Sequence, residues 1–176
     1  VSIHAYTHGK SPNLVFSDVK MTDPRVSHLH NEFRVYRDFM AAIPQRFRNR
    51  PVYITETDQY NDWGDVNSGW IRNAYQEINT WNQNSANQPI QALILYRWII
   101  GNPNDPKEVG WAIQNKPNLQ TDWRDAMNNN YQVVLPNDKP LYLVAWLEAA
   151  VPGRIDPGTE AKFPVTVRND GRIAWA

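Results

Sequence analysis

The sequence predicts an α/β protein built on a parallel sheet. Three short apolar runs carry that expectation: Val1–Tyr6, Arg50–Asp58 and Ile90–Trp98. Each closes on polar or ring-bearing residues, as buried parallel strands do at their ends. Helical patterns fill the spaces between them. The resulting order is strand, helix, strand, helix, strand, helix.

The first run places His4, Tyr6 and His8 on one face for as long as the strand lasts. Leu29, Phe33, Tyr36, Met40 and Ile43 then recur at three- and four-residue spacing and predict a helix. Asn31 and Glu32 fall inside that pattern, so they read as a helix-surface or first-turn pair. His28 and His30 are expected to face solvent near the helix start.

The second run is the most informative. Arg50-Pro51-Val52-Tyr53-Ile54-Thr55-Glu56-Thr57-Asp58 opens on proline, continues β-branched and apolar, and ends on a carboxylate. Alternation puts Val52, Ile54 and Glu56 on one side and Tyr53 and Thr55 on the other. Glu56 then emerges where the strand ends, and a lone carboxylate so placed is either paired structurally or used in chemistry. Asp58 shares its parity but reads as a turn or rim residue. The following helix carries Ile71, Ala74, Ile78 and Trp81, with Asn67 or Ser68 as its cap.

The third run puts Tyr96 and Trp98 on one face, with Trp98 either core or exposed. A shorter helix is expected from Thr121 or Asp122, with Trp123 and Met127 on one side. Domain boundaries follow a change of texture. Residues 1–136 make the α/β part. Residues 137–176 hold a linker and the first strands of a β-sandwich: Leu141–Ala149, then Lys162–Arg168 leading through Asn169-Asp170-Gly171 into Ile173–Trp175.

Bulk composition excludes several function classes. Lys plus Arg and Asp plus Glu each total 18, and that zero balance argues against nucleic acid or an anionic membrane surface as partner. No apolar run approaches membrane-spanning length, and no leader-like segment is visible. With no cysteine there are no disulfides or thiolate metal sites. His4 and His8 are an i, i+4 pair, but that spacing suits a helix rather than a strand, so no metal is expected. No glycine-rich turn follows any strand, which weighs against a phosphate-binding metabolic enzyme. No cofactor is expected. Eight Trp and eight Tyr are many for 176 residues. Tyr60, Trp63 and Trp111 lie among polar loop residues, where exposed rings suit stacking on a sugar and buried ones anchor the loop.

Taken together, the three strand ends resemble strands six, seven and eight of a clan A retaining glycoside hydrolase. His4-Ala5-Tyr6 is similar to that clan's His-x-Tyr, Ile54-Thr55-Glu56 to its nucleophile strand, and Tyr96-Arg97-Trp98 to its last strand. The resemblance implies a partial (β/α)8 TIM barrel over roughly residues 1–130, followed by an incomplete immunoglobulin-like β-sandwich. It implies Glu56 as nucleophile, Tyr6 as the group that aims it, and His4 as wall or substrate contact. Trp98 would floor the sugar subsite, with His8, Tyr60 and Trp63 at its rim. Such chemistry needs two carboxyl groups about 5–5.5 Å apart. The clan's acid/base glutamate, on strand four, has no counterpart here, so the missing barrel half must come from the same parent chain or a partner chain. The implied function is hydrolysis of β-glycosidic bonds in an extracellular polysaccharide or oligosaccharide by the full-length parent, the fragment alone being inactive. The alternative is a non-catalytic carbohydrate-binding barrel that has lost its acid/base.

Overall fold

In the computed structural model, residues 1–59, 62–133, 144–149, 158, 160 and 162–170 are described. The chain divides into two compact units, Val1–Val134 and Leu135–Ala176. The first is mixed α/β. Its elements are β1 (Ser2–His4), α1 (Val35–Ala42), β2 (Val52–Thr57), α2 (Trp70–Gln83), β3 (Ile90–Leu95), α3 (Pro106–Trp111) and α4 (Pro117–Asn128). Single 3₁₀ turns at Pro12–Phe16 and Gln45–Phe47 punctuate the connections. The strands form one sheet in the order β1-β2-β3, and both pairings are parallel. The expected strand–helix alternation is therefore present, with α3 as an addition.

One face of this sheet is buried and the other is open. Ile3, Val52, Ile54, Ile90 and Leu93 join a single core with Phe33, Tyr36, Met40, Trp70, Ile71, Ala74 and Ile78. The opposite face carries exposed Ser2 and His4, Tyr53 at 37 % exposure and Ile94 at 50 %. Among the described residues, β1 and β3 each pair on one side only. Edge-to-face ring pairs stitch the core: Trp63 on Trp70 at 5.3 Å, Phe33 on Trp70 at 6.1 Å and Tyr36 on Trp81 at 5.4 Å. Each such pair adds about 0.5–1.5 kcal/mol beyond the area it buries.

Behind the sheet, buried Glu77 on α2 accepts from Arg34 Nε at 3.0 Å, Arg37 at 2.5 Å and the Tyr36 hydroxyl at 3.0 Å. A buried carboxylate survives only when its lone pairs are so met. This cluster locks the start of α1 onto α2.

Several local expectations are corrected. The first helix begins at Val35, not near Leu29, because residues 20–30 form turns closed by a Lys20–His30 bridge. His30 does not face solvent: its ring is 2.9 Å from Asp38 and 2.9 Å from Lys20 Nζ, while His28 is exposed. Helix α2 is not capped by Asn67 or by a strong Ser68 bond. Its N-cap is Gly69 at φ 87°, a left-handed conformation that favours glycine. Asp122 on α4 supplies the acceptor instead, taking the Ile71 N–H at 3.1 Å. Burial raises the Asp122 carboxyl above the ordinary range. Helix α4 starts at Pro117, four to five residues earlier than expected, because proline is well suited to a first helical turn.

In the second unit, β4 (Val144–Ala149) and β5 (Val165–Asn169) pair antiparallel. The expected hairpin into Ile173–Trp175 lies outside the described residues.

Candidate active site

At the carboxyl ends of β1 and β2 the backbones stay paired beyond the strands. Ala5 N–H donates to Glu56 O at 3.2 Å, and Thr7 N–H to Asp58 O at 3.2 Å. The Thr57 hydroxyl adds a 2.5 Å bond to Ala5 O. This register sets Tyr6 beside Glu56.

The strand-parity expectation for Glu56 is overturned. Register slips after Ile54, and His4 faces Glu56 where Thr55 would have been. Such a bulge adds one residue and re-aims the next side chain. Val52, Ile54 and Thr57 are buried against the helices, whereas Thr55 and Glu56 are only partly buried. The Ser2 and Thr55 hydroxyls lie 2.5 Å apart, and Glu56 meets His4 on β1 and Tyr6 just beyond its end. Glu56 thus stands on the open face and not with the core residues that precede it.

The Tyr6 hydroxyl donates a short hydrogen bond to Glu56 Oε1. His4 Nδ1 is 3.9 Å from Glu56 Oε2 and 3.4 Å from the Tyr6 hydroxyl, and the two rings meet edge to face. Burial, then the Glu56 bond and the charges of Glu56 and Asp58, push the Tyr6 pKa far above the ordinary phenol value. Tyr6 therefore keeps its proton at neutral pH, and the carboxylate must be the acceptor. The result is a partly buried carboxylate aimed by a phenol and flanked by an imidazole. Such a group can attack an electrophilic carbon or accept from sugar hydroxyls.

Glu32 is not on a helix surface. It is 6 % exposed, lies in the turn before α1, and accepts the His8 N–H at 2.6 Å. The His8 ring sits 3.6 Å from the same oxygen and is exposed. Glu32 thus ties down the loop that follows Tyr6, a role that its helical spacing concealed.

The aromatic residues divide. Trp98 lies three residues beyond β3, is 41 % exposed, and leans on Trp123 at 5.2 Å. Trp63 is corrected: it is 2 % exposed, with its indole N–H on Tyr96 O at 2.8 Å, so it anchors its loop from within. Asp58 is also buried, not a rim group. Tyr60 lies outside the described residues. Tyr96 N–H bonds Thr57 O at 2.8 Å, which holds the end of β3 against β2.

A separate open cavity of about 470 Å³ lies between the loop after β2 and α3, walled by Trp63, Pro106 and Val109 with Asp62 and Lys116. Lys116 Nζ donates to Gly110 O at 2.6 Å, and burial lowers its pKa. Neither Glu56, Tyr6 nor His4 lines it. Among the described residues no group of three or more His, Asp or Glu is placed to hold a metal ion. Nor does any helix there have the length and apolarity to cross a membrane.

No protein-family model, no curated protein and no solved structure matches the chain.

Proposed function

We propose that this chain carries the nucleophile side of a retaining glycoside hydrolase acting on β-linked polysaccharide or oligosaccharide. The supporting observation is the Tyr6–Glu56 hydrogen bond on the open face of a parallel sheet, at the carboxyl ends of its strands. That end is where α/β barrels place their chemistry. In this proposal Glu56 attacks the anomeric carbon and forms a glycosyl-enzyme intermediate. Tyr6 orients Glu56 and stabilises its charge until the bond forms. His4 contacts the carboxylate or the sugar beside it, and Trp98 offers a ring for the sugar to stack on. The second carboxyl group, which protonates the leaving oxygen and later activates water, belongs to the rest of the barrel. The exposed Tyr53 and Ile94 side chains are consistent with a sheet face that such a barrel would close over.

Glu56→Gln in the full-length parent tests the proposal. Turnover is expected to fall below a few per cent of wild type, while oligosaccharide binding measured by calorimetry stays within a few-fold. Hydrolysis retained above that level sinks the nucleophile assignment. A wild-type protein that binds oligosaccharides but never hydrolyses them supports the non-catalytic carbohydrate-binding barrel instead.

A further inference from the structure

Trp98 stands in a stretch without regular structure, yet its backbone is tied at both sides to the segment between α3 and α4. Arg97 N–H donates to Trp111 O at 2.9 Å, Ile113 N–H to Arg97 O at 2.9 Å, and Gln114 N–H to Trp98 O at 2.8 Å. The side chain of Gln114 then reaches past Trp98, and its Oε1 accepts the Ile100 N–H at 2.9 Å. Gln114 therefore holds the backbone twice on the C-terminal side of the exposed ring, at the Trp98 carbonyl and at the Ile100 N–H, while Arg97 is held on the other side by Trp111 and Ile113. The place of Gln114 is rooted by Ala112 and Ile113, both fully buried. Gln114 itself is exposed and fills no core position.

We infer that Gln114 is a positioning residue for the Trp98 ring, holding it in the orientation at which it meets the sugar. The inference rests on the reading of Trp98 as a stacking platform. An exposed ring on an irregular segment samples several orientations unless its backbone is fixed, and an unfixed ring pays ordering entropy when a ligand binds. Trp123 limits one side of the ring. Gln114 supplies the backbone restraint that Trp123 cannot.

The experiment has two arms. In the chain itself, amide hydrogen exchange at Ile100 is measured for wild type, Gln114→Met and Gln114→Glu. Methionine keeps the length but removes the acceptor, while glutamate restores it. Ile100 exchange is expected to run roughly fivefold faster in Gln114→Met, as loss of one ordinary hydrogen bond gives. It should return toward wild type in Gln114→Glu. Unchanged exchange in Gln114→Met overturns the inference. In the full-length parent, cellohexaose, laminarihexaose and xylohexaose serve as probes. Gln114→Met is expected to raise KM severalfold with kcat held, in the same direction as Trp98→Ala. A KM raised by Trp98→Ala but not by Gln114→Met also overturns the role of Gln114. If Trp98→Ala leaves KM unchanged for all three probes, the platform reading has failed, whatever Ile100 exchange shows.

Discussion

Tyr6 and Glu56 are fifty residues apart in sequence, and they meet because two parallel strands end at the same level. The bond between them is charge-assisted, a class that contributes about 1.5–3 kcal/mol. Tyr6→Phe removes the donor and keeps the ring, which is partly buried and meets the His4 ring edge to face. In the proposed full-length enzyme, kcat/KM is therefore expected to fall roughly ten- to a hundredfold. The thermal midpoint should move by no more than a few degrees. A Tyr6→Phe enzyme with wild-type kcat/KM would mean that the hydroxyl does not aim the nucleophile. The ladder of apolar residues ending at Glu56 was visible in the sequence, but its direction was not. A one-residue bulge reverses side-chain parity, and nothing in Thr55-Glu56-Thr57 marks where that bulge falls. Glu32 was likewise visible and misplaced. It falls within a helical spacing, but the turns before Val35 delay the helix and turn the carboxylate inward to His8.

At the scale of elements, periodicity located β2, β3 and α2 closely, because each buries one regular stripe against the same core, whereas α4 starts earlier and buries Leu119, Asp122 and Ala126 rather than the expected side of Trp123 and Met127. What it could not locate were ends and partners set by distant residues. Asp122 caps α2 from α4, and no signal near Gly69 announces that. Trp63 lies in a polar loop yet is buried, because its indole finds the Tyr96 carbonyl and the Trp70 ring. The entry to α1 offers a test of such long-range ties. Asp38 accepts the His30 N–H at 2.7 Å and faces the His30 ring at 2.9 Å. Burial alone would raise its carboxyl, but the His30 bonds and the charges of His30 and Lys20 outweigh it and hold the pKa below the ordinary carboxylate value. An acid whose folded pKa is depressed contributes stability above its unfolded value, and that stability is lost as pH falls through the folded value. Asp38→Asn is therefore expected to lower the thermal midpoint at neutral pH, and the gap to wild type should narrow as pH falls through the acid range in which the carboxyl takes up its proton. A gap that stays constant across that range would show that Asp38 contributes through shape and not charge.

At the scale of the whole molecule, the two sheet faces make opposite demands. The helix-covered face is a finished core; the other presents Tyr53 and Ile94 to solvent beside the Tyr6–Glu56 pair. Register places Leu93 beside Ile54 on the buried side, so Ile94 points to the open side. In the proposed barrel that open side becomes the packed interior, filled by layers of apolar side chains from neighbouring strands. One substitution separates the two situations. In the 176-residue chain, Ile94→Asp changes a half-exposed position and is expected to alter unfolding free energy by no more than about 0.5 kcal/mol. In the proposed full-length barrel the same change would bury an unpaired carboxylate and cost at least about 3 kcal/mol. Denaturant unfolding of both polypeptides, each with and without the substitution, reads the difference directly. Equal small losses in both would mean that no further strands close over this face, and the barrel proposal would fall. A large loss confined to the longer polypeptide would place Ile94 in an interior layer, with Glu56 at the rim above it.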